Sequence, residues 1–248
     1  MLLFELRDYT AQLLQTNLYK DYCPNGLQVE GRVQVQRIAT AVSASQAVID
    51  AAAAWGADAL LVHHGFFWRN EAAEIVGIKK NRIGKLLAHE MSLLAYHLPL
   101  DAHEQLGNNA ELARLMEWQL VARHGENNLL NVGELETTRN LANLVVQLSE
   151  KLHRVPQVIA GDGREIRRVA WCTGGAQGYF EQAIAHGVDA YITGEISEQN
   201  FHLAQESGVA FIAAGHHATE QFGIQALGAH LAEKFNLELR FFNQDNPI

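Results

Sequence analysis

The sequence predicts an α/β fold built as two related halves. Three observations carry this. Short apolar runs alternate with stretches of helical periodicity, the pattern of βαβ units. Ala41-Val42-Ser43 through Ala57-Asp58-Ala59-Leu60-Leu61-Val62-His63-His64 lines up without a gap on Cys172-Thr173-Gly174 through Val188-Asp189-Ala190-Tyr191-Ile192-Thr193-Gly194-Glu195. Histidines stand where three apolar runs end, at His63-His64, His97 and His216.

The elements follow in order. Leu2 to Leu14 carries apolar residues at helical spacing. Glu5, Arg7 and Asp8 make it an amphipathic helix rather than a signal peptide. Asp21-Tyr22-Cys23-Pro24-Asn25-Gly26 reads as a turn, and Leu27-Gln28-Val29 as extended. Arg37 to Val42 is a strand, and Ser43-Ala44-Ser45 caps a helix from Gln46 to Trp55 that Gly56 ends. Asp58 to Val62 is the next strand, joined by a right-handed connection. Phe66-Phe67-Trp68 is expected to form a packed lid or a subunit contact.

Asn81 to His89 is helical, Leu93 to Tyr96 is a strand, and Ala110 to Met116 is a helix. Gln119 to Leu135 reads as irregular, so the boundary is placed there, with a first α/β domain over 1–125 and a second over 126–248. Thr138 to Leu152 is an amphipathic helix capped by Thr137 or Thr138. A second βαβ unit has the strand Arg168 to Thr173, the helix Tyr179 to His186 and the strand Asp189 to Thr193. The helix Ser197 to Ser207, the strand Val209 to Ala214, a helix from about Thr219 to Phe235 and the strand Leu237 to Phe242 follow.

Bulk properties narrow the function. A net charge of −9 argues against strong nucleic-acid binding through the phosphate backbone but leaves a nucleotide ligand open. The two cysteines, Cys23 and Cys172, fit a reducing cytosol and cannot build a thiolate zinc site. No uncharged apolar run approaches the ~18 residues of a membrane span, so a soluble, cytoplasmic protein is expected. No P-loop or Rossmann glycine motif follows a strand. Thr173-Gly174-Gly175 stands where a phosphate-binding turn could lie, though a lone glycine pair is a weak signal.

In α/β folds ligands bind beyond the carboxyl ends of the strands. There the chain places His63 and His64, His97 with Asp101, and His216 with Glu220. Both pairs have a spacing of four, but Pro99 suggests that the first is held by a loop. Imidazole with carboxylate suits zinc, iron, manganese or nickel. Six such groups are too many for one tetrahedral ion and suit two ions about 3.5 Å apart. His103 and His217 adjoin this set as outer donors. His89, His124, His153, His186, His202 and His230 read as ordinary core or surface residues.

Asn25-Gly26-Leu27-Gln28-Val29, Val62-His63-His64-Gly65, His97-Leu98-Pro99-Leu100-Asp101, Thr193-Gly194-Glu195 and Gly215-His216-His217-Ala218-Thr219-Glu220 together resemble the Nif-three-like family. Its members are often labelled GTP cyclohydrolase I type 2 homologues, and this chain looks most like the short bacterial branch. The resemblance covers essentially the whole chain. It implies two interlocked α/β domains, a dinuclear metal site at their interface, and a ring-shaped homohexamer with the sites facing an inner cavity. It implies His63, His64, Asp101, His216 and Glu220 as metal ligands, with His97 a close neighbour.

Two functions are weighed. One is a metal-dependent hydrolase acting on a small molecule, with a nucleotide as the expected substrate class. Asp101 or Glu220 could bridge the ions, and His97 is the candidate for proton transfer. The other is a metal-binding regulator, metallochaperone or interaction protein without turnover. Open coordination positions favour the first, and a filled protein cage favours the second.

Overall fold

A strand covered on both faces can be apolar at every position. The central runs of this chain fold as such strands. The computed structural model describes residues 1–248. In chain order, the first elements are α1 (Leu3–Leu13), β1 (Gly26–Val29), β2 (Arg37–Ser43), α2 (Gln46–Trp55), β3 (Ala59–His64), α3 (Gly77–Ala88), β4 (Ser92–Ala95) and α4 (Leu98–Ala102). Then come α5 (Asn108–Met116), β5 (Trp118–His124), β6 (Leu130–Arg139), α6 (Leu141–Leu152), β7 (Gln157–Ile159), β8 (Ile166–Trp171), α7 (Phe180–Ala185) and β9 (Ala190–Thr193). The last are α8 (Glu198–Ser207), β10 (Ala210–Ala213), α9 (His216–Phe235) and β11 (Glu238–Phe241). No helix is long and apolar enough to cross a membrane.

Two compact units result. The first is Met1–Gly107 with Gly223–Asp245, and the second is Asn108–Phe222 with Asn246–Ile248. The first holds a five-stranded sheet in the order β1-β4-β3-β2-β11, parallel except for β1. Leu60 and Val62 of β3 face Val48, Ile49 and Ala52 of α2 and Ile83 and Leu86 of α3. Ala59 and Leu61 face Leu3 and Leu6 of α1 and Ile224, Leu227 and Leu231 of α9. Alternate side chains take opposite faces, so His63 continues the second row and His64 the first.

The second unit holds a six-stranded sheet in the order β5-β6-β8-β9-β10-β7. Its β8, β9 and β10 are parallel, and the other pairings are antiparallel. Ala190 and Ile192 of β9 pack with Leu144 and Leu148 of α6, while Tyr191 packs with Phe180, Ala204 and Phe211.

The internal duplication is consistent with the strand registers. Ile38 lies opposite Ala59 and Thr40 opposite Leu61 in the first sheet. In the second, Val169 lies opposite Ala190 and Trp171 opposite Ile192, both partners displaced by the same number of residues. Glycine ends the helix between the paired strands in each half, Gly56 at φ 78° and Gly187 at φ 67°.

Three local expectations change. The stretch expected to be irregular is the β5–β6 hairpin, turned by Glu126–Asn128. Its outer strand leaves Gln119, Leu120 and Val121 exposed, so no half-buried alternation marks it. Strand β6 runs through Thr137 and Thr138, and Asn140 caps α6 by accepting from the Asn143 amide at 2.9 Å. Asparagine caps at least as well as threonine. The units also divide at Gly107/Asn108 and Phe222/Gly223 rather than at 125. Leu112, Ala113 and Met116 of α5 belong to the core of Trp118, Leu135 and Leu144, so residues 108–125 fold with the second unit.

Candidate metal centre

In the first unit β3 carries both histidines. His63 is fully buried and His64 half-buried. His63 Nδ1 lies 2.9 Å from the carbonyl oxygen of Tyr96. A carbonyl only accepts, so Nδ1 carries a hydrogen there and Nε2 is the nitrogen left for another partner. That Nε2 is 3.4 Å from Asp101 Oδ1. His64 Nδ1 lies 3.1 Å from Ser43 Oγ on the adjacent strand.

His97 follows β4 and joins the pair. Its ring centroid is 5.1 Å from that of His63 and 5.7 Å from that of His64. The ligand atoms of His63, His64 and His97 are close enough to share one ion. Trp68 packs its ring on both His97, at 5.0 Å, and His64, at 6.0 Å.

The spacing between His97 and Asp101 is helical, not a loop. The Asp101 amide donates to the His97 carbonyl at 3.2 Å, and Pro99 occupies the first turn of α4. Proline is favoured there because its missing N–H would have had no partner in the helix. The residue that suggested a loop therefore starts the helix that holds Asp101.

In the second unit α9 begins at His216, three residues before its expected start, so His216 and Glu220 sit one turn apart on one helix face. His216 Nε2 is 3.1 Å from Glu220 Oε2, and Nδ1 is 2.6 Å from Glu195 Oε1. This is the carboxylate–histidine arrangement that orients imidazole ligands of metals. Burial pulls the His216 pKa down, but Glu220 and then Glu195 outweigh it and push it up to about 9 in the metal-free chain.

Glycine makes room at this corner. Gly174 has φ +71°, and a Cβ on it would overlap the Glu220 carboxylate. Gly194, at the end of β9, donates to the Gly174 carbonyl at 2.8 Å, and its Cβ would run into the His216 backbone. Thr219 Oγ1 accepts from the Gly174 amide at 3.0 Å, tying the start of α9 to the loop after β8.

The chemistry of both donor sets fits divalent metal. Nδ1 of His63 and of His216 is engaged, which directs Nε2 of each ring at a carboxylate, and the carboxylates Asp101 and Glu220 are buried. Buried carboxylates beside imidazoles are costly unless charge compensates them.

The sequence profile of Duf34/NIF3 (NGG1p interacting factor 3) matches residues 1–247. The chain belongs to the Duf34/NIF3 family. A relative from Neisseria meningitidis serogroup B, named GTP cyclohydrolase 1 type 2 homolog, is 55% identical over 236 residues, covering 95% of both chains. A protein of the same name from Yersinia pestis is 52% identical, covering 98% of both. The solved structure titled protein ybgI, unknown function, is 45% identical, covers 100% of both chains and superposes with a TM-score of 0.97.

In this Duf34/NIF3 chain the residues that orient the candidate site's histidines were the ones sequence reading missed. Glu195 stands opposite His64 in the internal repeat, so the repeat held a signal for it. Asp21 lies 76 residues from His97, which it contacts at 2.8 Å, and no local pattern announces it. Asn25 does more than turn the chain: its Oδ1 accepts from the His97 amide at 2.8 Å. His103, expected as an outer donor, uses Nδ1 to accept the Leu106 amide at 3.0 Å. His217 uses its amide to donate to the carbonyl of Ile248 at 3.1 Å.

Proposed function

We propose that this protein is a dinuclear metal-dependent hydrolase acting on a nucleotide or a related small molecule. His63, His64 and Asp101 of the first unit and His216 and Glu220 of the second are its metal ligands. The observation that carries the reading is the engagement of Nδ1 in two rings: Tyr96 O on His63 Nδ1 and Glu195 on His216 Nδ1 leave Nε2 of each ring as the nitrogen facing a buried carboxylate and available to a metal. A mixed nitrogen and oxygen set suits two ions of zinc, iron, manganese or nickel. Bound there, such ions supply Lewis acidity toward the substrate and lower the pKa of water toward neutrality.

The chain's own groups supply the rest. His97 is placed beside His63 and His64 to carry a proton. Trp68, edge-on to His97 and tilted against His64, narrows the access of water. Names of relatives support a nucleotide-related substrate. The reading includes a ring-shaped homohexamer working in the cytoplasm.

The test loads the purified full chain with manganese, iron, zinc or nickel and counts the ions bound. It then screens nucleotides, phosphate esters and amides for turnover. Two ions per chain and a hydrolysed nucleotide are expected. Two tightly bound ions with no turnover across the screen would overturn the hydrolase and leave a metal-binding regulator or metallochaperone. Light scattering of the same sample tests the hexamer.

A further inference from the structure

Asp21 is unusual for a carboxylate because every acceptor position it has is filled. Oδ1 accepts the Tyr22 amide at 2.6 Å and faces His97 Nδ1 at 2.8 Å. Oδ2 accepts Asn25 Nδ2 at 2.8 Å and the Leu98 amide at 3.0 Å. A carboxylate has about four such positions. Two of the four donors are backbone amides, which cannot reverse, and the Asn25 amide is held in place because its Oδ1 accepts the His97 amide. The side chain is 3% exposed, so water does not compete. Burial raises its pKa, but the bonds from His97, Asn25 and Tyr22 outweigh that and hold the carboxyl below its ordinary value. An ionised, saturated Asp21 has only one arrangement to offer His97, in which Nδ1 carries a hydrogen and donates it.

Cys23 lies in the same cluster, and Asp21, Cys23 and His97 could be read as a further metal site. The chemistry opposes this. Burial, and then the Asp21 charge, push the Cys23 thiol up to about 12, so it stays protonated. The Asp21 oxygens have no lone pair left for a cation.

We propose that Asp21 is a positioning residue that holds His97 as the Nδ1–H tautomer, so that His97 gives and takes protons only through Nε2. This deepens the hydrolase reading, on which the proton-carrying role of His97 rests. The rest of the pocket fixes the ring as well. Asn25 Oδ1 holds the His97 amide, and the Trp68 ring meets the imidazole edge-on at an interplanar angle of 85°. Nδ1 is thereby committed to Asp21, and Nε2 is the one nitrogen left to serve the His63 and His64 side.

The replacement Asp21→Asn makes a sharp prediction. Its new NH₂ must take the place of Oδ1 or Oδ2. At Oδ2 it would oppose two donors, Leu98 N–H and Asn25 Nδ2, and Asn25 is itself locked by the His97 amide. At Oδ1 it opposes one fixed donor, Tyr22 N–H, and His97 can adapt by turning Nδ1 into an acceptor. The second arrangement orphans fewer donors. The substitution therefore inverts the tautomer and puts the hydrogen on Nε2.

The experiment reads ¹⁵N shifts of the imidazole by two-bond proton correlation on the metal-free full chain in alkaline buffer. A His97→Gln spectrum assigns the signals. In the wild type, His97 Nδ1 should carry the pyrrole-type shift and Nε2 the pyridine-type shift; in Asp21→Asn the two should exchange. A wild-type ring with the hydrogen on Nε2 overturns the proposal without any variant, should Asp21→Asn fail to fold. A wild-type pattern that persists unchanged in a folded Asp21→Asn also overturns it, because Asp21 would then only support the loop. The tautomer does not depend on turnover, so an inactive metal-loaded protein with the expected shifts sinks the hydrolase and leaves this assignment standing.

Discussion

Asp189 makes in the second sheet the contacts that Asp58 makes in the first. Asp58 Oδ2 accepts the amides of Gln36 and Arg37 at 2.8 and 2.9 Å, and its own amide donates to Arg37 O at 2.9 Å. Asp189 Oδ2 accepts the amides of Arg167 and Arg168 at 3.0 and 2.8 Å, and its amide donates to Arg168 O at 2.8 Å. Each carboxylate clips the start of one parallel strand to the start of the next and so sets the register that carries the candidate site residues to the far end. Hydrogen bonds to a charged acceptor are each worth more than neutral ones. Asp58→Ala, which orphans two amides at a buried site, should lower stability by roughly 2–4 kcal/mol, and the half-buried Asp189→Ala by about 1–2 kcal/mol. Urea midpoints measure both. An Asp189→Ala chain as stable as the wild type would show that the repeated contact has no energetic role.

Gly174→Ala should damage metal binding far more than folding. The alanine must adopt φ +71° and push its Cβ into Glu220 Oε1, with His216 Nε2 only 3.2 Å away. Gly163→Ala is the control, since Gly163 has φ +77° with open space around it. Both variants bear the left-handed cost of roughly 1–2 kcal/mol. Only Gly174→Ala should also lose metal affinity, by about tenfold or more. Equal affinities in the two variants would mean that the Gly174 cradle does not shape the ligand corner.

What the sequence made legible follows from which signals are local. Strands β3 and β9 stood out because burial on both faces leaves an unbroken apolar run, and helix α2 because Ser45 caps it and Gly56 ends it. The candidate ligand histidines were legible because they sit where such runs stop. The β5–β6 hairpin was not, since its outer strand exposes apolar and polar residues together and its turn uses left-handed Asn127 and Asn128 instead of an Asn-Gly pair. Asp21 was hidden for another reason. Its meaning lies in contacts with Asn25, His97 and Leu98, and only the folded chain brings those donors around one carboxylate.

Glu195→Gln tests the orienting partner of His216. Glutamine can still accept from Nδ1 at that position but carries no charge. The imidazole then becomes a weaker donor through Nε2. Metal affinity should fall by about 10–100-fold, with no change in far-UV circular dichroism. Unchanged affinity would place Glu195 outside the metal centre.

The raised His216 pKa ties metal binding to protons. In the metal-free chain, Glu220 and Glu195 hold His216 protonated up to about 9 against the opposing pull of burial. The folded value lies above the unfolded value of about 6.5. The stabilising contribution of the imidazolium is therefore complete below about 6.5 and is lost as the pH rises through 9. The metal-free protein should lose stability across that window, and His216→Gln should remove the slope. A metal needs the neutral ring, so loading at pH ~7.5 must expel a proton that loading above pH 9 does not. Calorimetry in buffers of different ionisation enthalpy counts these protons. The count should be about one higher at the lower pH, and the difference should shrink in Glu195→Gln, where one of the two charges holding the proton is gone. A proton count independent of pH across this range would mean that His216 enters the metal-free state already neutral, and the carboxylates around it would then hold no proton for a metal to displace.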